Sequence, residues 1–383
     1  MSYSARAPPP ESDGYRRLFA GDSSPWFEQA SSSHPRFQFD LAAGRYVVLC
    51  FFMSATDPAA RRALSFVSTH RELFDDDKIS FFGVSINWRD QQENHVRESL
   101  PGVRFFWDFD LNISRLYGAV PVNAGPGVLS ARRLWFVLDP TLRIMAVVRF
   151  EKEGHELATI HQLLNGLPSI DRFAGIDAAP PILHLPNVFE EDFCRKLILA
   201  FETDGGKETG SMVEIDGKTM PVHDHRHKRR TDCYVTDAAT IAMARSRIAR
   251  RVAPEVSKVF QFAATNIERY LVGCYRAEED GHFASHRDNT TTATAHRRFA
   301  VSINLNNNYD GGEIGFPEYG SRRYKPPAGS AVVFSCSLLH SVSPVTRGRR
   351  YAFLPFIHDE AAERLLAKNT VRAPDEASGR TGP

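Results

Sequence analysis

The segment RYVVLCFFM (45–53) constrains this chain most. It is an unbroken apolar run rich in β-branched and aromatic residues. A strand of that kind has no solvent face, so both sides must be covered. KISFFGVSI (78–86) repeats the pattern, and VRFFWD (103–108) repeats it again. Helical spacings fall between and around them. DPAARRALSFVSTHRELF (57–74) opens on Asp57 and Pro58, a fitting N-cap and first helical residue. DQQENHVRESL (90–100) reads as a polar helix, and LNISRLYG (111–118) as a short helix closed by Gly118. RLWFVLD (133–139) and IMAVVRF (144–150) form a hairpin around PTLR. HELATIHQLLNGL (155–167) is a last amphipathic helix. Strands alternating with helices, then a closing hairpin, predict an α/β sheet domain.

That domain accounts for less than half of the 383 residues. A length of this order predicts two or three domains at about 150 residues each. The second half has a different rhythm. Two helical stretches, 189–201 and 238–262, precede eight short strand segments. These are 268–276, 282–288, 298–306, 312–318, 322–327, 330–336, 338–344 and 349–357. Short strands with regular turns predict a sandwich or barrel. The boundary falls in the Gly/Ala/Pro-containing connector 169–180. Residues 1–18 and 372–383 show no period and read as a disordered arm and tail.

Charge and cysteine usage exclude several classes. Lys plus Arg is 47 and Asp plus Glu is 46, a net charge of +1. A surface built to hold nucleic acid or an anionic membrane is not expected. No apolar run is long enough for a transmembrane helix, and the opening residues lack the apolar core of a secretory signal. Five cysteines without a CxxC do not form a disulfide framework, which fits a reducing cytoplasm.

Three side chains in the second half carry chemistry. His286 and Asp288 are two apart, so on a strand they share a face. His340 heads a later strand. Two imidazoles and one carboxylate form the facial triad of non-haem Fe(II) oxygenases. His-x-Asp alone is a common pattern. Its place on a strand, the third ligand strands later, and Arg350 on the last strand make it specific. Strand alternation puts Arg350, Ala352 and Leu354 on one inward face. Its guanidinium suits the distal carboxylate of a dicarboxylic 2-oxo acid, bidentately. Tyr275, on an adjacent strand, could donate to the same cosubstrate or simply be a half-buried strand tyrosine. His223, His225 and His227, in VHDHRHKRRTD (222–232), could ligate a metal. The alternative is a solvated basic loop, or one lining the substrate entrance.

ERYLVGCYRAEEDGHFASHRDN, RFAVSINLNNNYDGGEIGFPE and PPAGSAVVFSCSLLHSVSPVTRGRRYAF together resemble the prolyl 4-hydroxylase-like branch of the Fe(II)/2-oxoglutarate-dependent dioxygenases. The resemblance is close over 268–357 and looser from 181. It implies a double-stranded β-helix (jelly-roll) with buttressing helices over 181–371. It also implies iron on His286, Asp288 and His340, and the 2-oxoglutarate C5 carboxylate on Arg350. Dioxygen is the second cosubstrate, and ascorbate is a candidate reductant. Tyr275 matches the tyrosine lining the cosubstrate pocket. Some relatives carry a second tyrosine on the third core strand. Asn304 stands there instead, and its amide could donate to the carboxylate. The implied reaction hydroxylates a C–H bond of a prolyl or other peptidyl residue, yielding succinate and CO2. A small-molecule hydroxylase, or a non-catalytic scaffold, are the alternatives.

Residues 19–168 resemble the peroxiredoxin-like (thioredoxin-fold) family through GDSSPWF (21–27), FFM (51–53), VSI (84–86), LYG (116–118) and RLWFVLD (133–139). The run MSATDPAA (53–60) departs from the family motif. Ala60 stands at the peroxidatic cysteine and Asp57 at the Thr/Ser, so the thiolate chemistry is missing. Arg133 matches the family arginine but has no thiol to activate, and Cys50 reads as a core residue. The expectation is a thioredoxin-fold domain without peroxidase activity that binds a protein partner, positions substrate or supports the oxygenase.

Overall fold

The computed structural model describes residues 13–124, 130–215 and 218–371. It is a mixed α/β chain of two compact units. Among the described residues, those from 13 to 179, with 317–321, form the first; residues 180–316 and 322–371 form the second. No helix among the described residues is long and apolar enough to cross a membrane.

The first unit is built on β1 (Tyr46–Met53), β2 (Ile79–Ser85), β3 (Val103–Trp107), β4 (Leu134–Leu138) and β5 (Ile144–Arg149), in the sheet order β3-β2-β1-β4-β5. β1, β2 and β3 run parallel; β4 and β5 close the sheet antiparallel. Every residue of β1 and β2 is buried, as unbroken apolar runs require. Helices α1 (Pro58–Thr69) and α4 (Glu156–Asn165) contribute Ala63, Phe66, Ile160 and Leu164 to the core around Trp135.

Asp57 caps α1 as expected, its carboxylate accepting from the N–H groups of Ala59 and Ala60. Its other oxygen accepts from Arg133 Nη2 at 2.6 Å. The arginine is therefore engaged by the carboxylate beside Ala60, which is fully buried. Cys50 is a core residue, and burial pushes its thiol well up.

Two expectations need correction. The polar helix over 90–100 is only α2 (Trp88–Gln92); between it and α4 lies α3 (Asn112–Leu116). Asp90 is fully buried and accepts from Ser85 Oγ at 2.7 Å and the Ala55 N–H at 2.9 Å. That inward tether competes with helix propagation, and Asn94 turns left-handed at φ 54°. Residues 13–18 do not form part of a loose arm. Tyr15 and Leu18 are buried, and the Arg132 guanidinium lies 3.5 Å from the Tyr15 ring. The rest of the expected arm and the tail from 372 lie outside the described residues.

In the second unit, α5 (Glu191–Asp204), α6 (Ala238–Arg251) and α7 (Ala253–Phe260) pack on one face of a nine-stranded sheet. The stretch 238–262 is two helices because Pro254 starts the second. The strands used below are β6 (Lys228–Arg229), β7 (Thr231–Tyr234), β8 (Leu271–Arg276), β9 (His282–His286), β10 (Phe299–Asn304), β11 (Ile314–Gly315), β12 (Arg323–Tyr324), β13 (Ala331–Ser335), β14 (His340–Val342), β15 (Arg349–Phe353) and β16 (Phe356–His358). The larger sheet contains the run β16-β10-β15-β8-β7, and the smaller sheet is β6-β9-β14-β11-β12. The segment 349–357 is two strands, parted at Leu354 and Pro355. A hairpin of Ser211–Ile215 on Lys218–Val222 was not anticipated.

Strand alternation sorts the larger sheet. Val272 and Cys274 of β8, Val301 and Ile303 of β10, and Tyr351 and Phe353 of β15 enter the helix-side core. The residues between them, Tyr275, Ser302, Asn304 and Arg350, therefore share the opposite face.

Candidate metal centre

β9 and β14 pair antiparallel with His286 directly opposite His340. The pairing sets the two imidazoles side by side, ring centroids 4.2 Å apart. Asp288 follows two residues after His286, and its N–H is held by Cys336 O at 2.9 Å. Its carboxylate lies 3.6 Å from His286 Nε2 and 3.4 Å from His340 Nε2. The ligand atoms of the three all lie within 4.8 Å of one another, the one such group found among the described residues.

The donor set fits a divalent metal. His286 Nδ1 lies 2.8 Å from the carbonyl of Ala284, and His340 Nδ1 lies 3.0 Å from that of Leu338. A carbonyl can only accept, so each Nδ1 carries the proton and each Nε2 offers its lone pair. Burial, then the neighbouring His340, push His286 down to about 4. Burial would raise the Asp288 carboxyl, but His340 and His286 hold it well below the usual range. Neutral imidazoles and an ionised carboxylate are the ligating forms.

Arg350 lies opposite Tyr275 on β8, 1% exposed, with its guanidinium 5.2 Å from the Tyr275 ring. Its Nε and Nη2 reach Asn304 Oδ1 at 3.2 and 3.1 Å, and Nη2 reaches Ser302 Oγ at 3.1 Å. Nη1 is buried with no partner. An orphaned, charged donor of this kind is costly unless an anion completes it, so the residue fits a bound carboxylate. Asn304 is used differently from its expected role. Both donors of its amide stay inside the protein, on Tyr309 OH at 2.8 Å and Pro326 O at 2.7 Å.

The basic run was read as solvated, which holds for His223, His225 and Arg226 and fails for the residues after them. His223 and His225 are exposed and gather on Glu208, and His227 packs edge-on against Phe283. The three do not converge on a metal site. Lys228, Arg230 and Asp232, by contrast, are buried. Asp232 accepts from Arg230 Nε at 2.6 Å and Nη2 at 2.9 Å. Arg230 Nη1 reaches Tyr275 OH at 3.4 Å, and its guanidinium stands 5.9 Å from the Phe283 ring. Phe283 in turn stacks on His286 at 3.5 Å. Burial, with Arg230 adding to it, pushes Lys228 down to about 7. Charges two apart at Lys228, Arg230 and Asp232, from β6 into β7, were the missed signal: a period of two inside a charge run.

The loop after Asp288 has its own anchor. Arg297 and His296 both donate to Glu268, at 2.7 to 2.9 Å, and Arg297 Nη1 reaches Asp288 O at 3.4 Å. Burial would raise the Glu268 carboxyl, but His296 and Arg297 lower it from 4.5 to about 2. A depressed carboxylate stabilises above its unfolded pKa. Stability of the second unit is therefore expected to fall between pH 4.5 and about 2, by about 3 kcal/mol from this group. Glu268→Gln should flatten that part of the acid-unfolding curve; an unchanged curve would count against the assignment.

Comparison with known proteins agrees with this geometry. Residues 270–358 match the model of the 2OG-Fe(II) oxygenase superfamily. A PKHD-type hydroxylase of Synechococcus is 32% identical over 132 residues, covering 31% of this chain and 58% of that relative. The chain thus spans little more than half of that protein. A PKHD-type hydroxylase of Burkholderia lata is 30% identical over 184 residues, covering 45% of this chain and 75% of the relative. The solved structure of peroxidoxin BcpB from Mycobacterium tuberculosis is similar over 40% of this chain and 100% of its own, at 17% identity and a TM-score of 0.33. By its match to the Burkholderia lata relative and to the superfamily model, the chain belongs to the PKHD-type hydroxylases of the 2OG-Fe(II) oxygenase superfamily.

Proposed function

We propose that the second unit is an Fe(II)- and 2-oxoglutarate-dependent dioxygenase that hydroxylates a C–H bond. The observation that carries this is the convergence of His286 Nε2, His340 Nε2 and the Asp288 carboxylate, together with the unpartnered Nη1 of buried Arg350. His286, Asp288 and His340 would hold the iron, leaving positions for a chelating 2-oxo acid and dioxygen. Iron with these cosubstrates supplies the oxidising chemistry, with succinate and CO2 as coproducts. The chain's own part is placement. The Nδ1 anchors fix both imidazoles, Arg350 receives the distal carboxylate, and Tyr275 lines the same pocket. We read the two antiparallel sheets as the halves of a double-stranded β-helix.

The proposed substrate is a prolyl or other peptidyl residue, on the strength of the resemblance over 268–357. The first unit is read as a thioredoxin-fold module without peroxidase chemistry that engages a protein partner. Ala60 and the Asp57–Arg133 pair support that reading. All five cysteines are buried and free, which supports a reducing, cytoplasmic setting. The test is succinate release from 2-oxoglutarate with Fe(II), screened across prolyl peptides and amino acids. Turnover stimulated by a peptide is expected. Stimulation by free amino acids alone would move the substrate to small molecules, and no turnover at all would overturn the enzymatic reading.

A further inference from the structure

Arg350 cannot grip a carboxylate with its fork, because the Nε/Nη2 edge is already spent on Asn304 and Ser302. One nitrogen, Nη1, is left. A second unspent donor stands beside it. Tyr309 is fully buried, and its hydroxyl oxygen accepts from Asn304 Nδ2 at 2.8 Å. No acceptor for its own proton is found among the described residues. Burial raises the phenol's pKa and outweighs the opposing charge and hydrogen bonding of Arg350 and the hydrogen bond from Asn304, so the proton stays on. The two side chains pack on one glycine. A Cβ on Gly312 would lie 3.0 Å from Arg350 Cδ and 3.3 Å from Tyr309 Cε2, and Gly312 has φ +62°.

We propose that Tyr309 is a cosubstrate-binding residue, its O–H and Arg350 Nη1 each taking one oxygen of the distal carboxylate, with Asn304 as the positioning residue that aims both. This rests on the reading of Arg350 as the carboxylate anchor. One amide does the aiming: its carbonyl turns the guanidinium, and its N–H occupies the phenol oxygen so that the phenol proton points away. A dicarboxylic 2-oxo acid satisfies both donors. A monocarboxylic one leaves both buried and unpaired.

The test is calorimetric titration of the Zn(II)-loaded full chain with 2-oxoglutarate and, separately, with pyruvate, which lacks the distal carboxylate. Tyr309→Phe is expected to weaken 2-oxoglutarate about tenfold to a hundredfold, the range for a hydrogen bond to a charged group, and to leave pyruvate unchanged. Asn304→Asp, which puts a competing acceptor beside both donors, is expected to do the same by a second route. Unchanged 2-oxoglutarate affinity in Tyr309→Phe would overturn the proposal, as would equal weakening of both acids. Arg350→Leu separates the two readings. If it abolishes 2-oxoglutarate binding while Tyr309→Phe does nothing, the anchor stands and Tyr309 falls. If Arg350→Leu itself has no effect, the anchor falls.

Discussion

His340→Ala is expected to reduce iron-dependent 2-oxoglutarate turnover by at least about a hundredfold, while the chain stays folded. Iron would be left with one imidazole and one carboxylate. The triad is the one metal-capable cluster found among the described residues. The fold should survive, because what the side chain gives up to the surrounding backbone is the hydrogen bond from Nδ1 to Leu338 O. Losing one such bond costs about 1 kcal/mol. The measurements are succinate release, metal content after loading with Fe(II), and far-UV circular dichroism. Turnover at the unaltered rate with a native spectrum would sink the metal assignment. Loss of turnover together with the native spectrum would show that the structure had outlived the activity.

The second large effect is on stability. Arg230→Met strips Asp232 of its bidentate partner while the carboxylate stays 2% exposed. Removing one member of a buried pair costs about 3–5 kcal/mol, because the other charge is stranded. Arg230→Met with Asp232→Leu removes both charges and should restore most of the loss, since buried pairs exchange for apolar residues at little cost. Lys228 Nζ, 3.7 Å from the Asp232 carboxylate, should soften the loss in the single variant; in the double variant burial favours its neutral amine. The readout can be confined to the right unit. All four tryptophans (Trp26, Trp88, Trp107 and Trp135) lie in the first half. Urea unfolding followed by tryptophan fluorescence should be unchanged, and the loss should appear in far-UV circular dichroism. A double variant as unstable as the single one would mean that the arginine matters for its packing and not for its charge.

What could be read from the sequence depended on whether periodicity and chemistry pointed the same way. β1 and β2 were legible because apolar runs of that length admit one environment. His286, Asp288, His340 and Arg350 were legible because a two-residue step on a strand fixes a shared face. The residues missed were those whose composition argued against burial. Lys228, Arg230 and Asp232 sat inside RHKRRTD, where a charge run masks a period of two. Asn304 was found, but its orientation was not. Whether an amide points at a ligand or at Tyr309 and Pro326 is decided by partners brought from later in the chain. The helix over 90–100 failed for a related reason: the burial of Asp90 is a tertiary fact that local propensity does not carry.

The imidazoles of His286 and His340 are oriented by main-chain oxygens two residues upstream, those of Ala284 and Leu338. A carbonyl oxygen is present whatever side chain the residue bears. The supporting contact is thus insulated from genetic change at those two positions, which are free to drift so long as the strands keep their path. An inventory of side-chain types would find no partner for the Nδ1 of either histidine, since those orienting groups are written in the backbone and have no letter of their own.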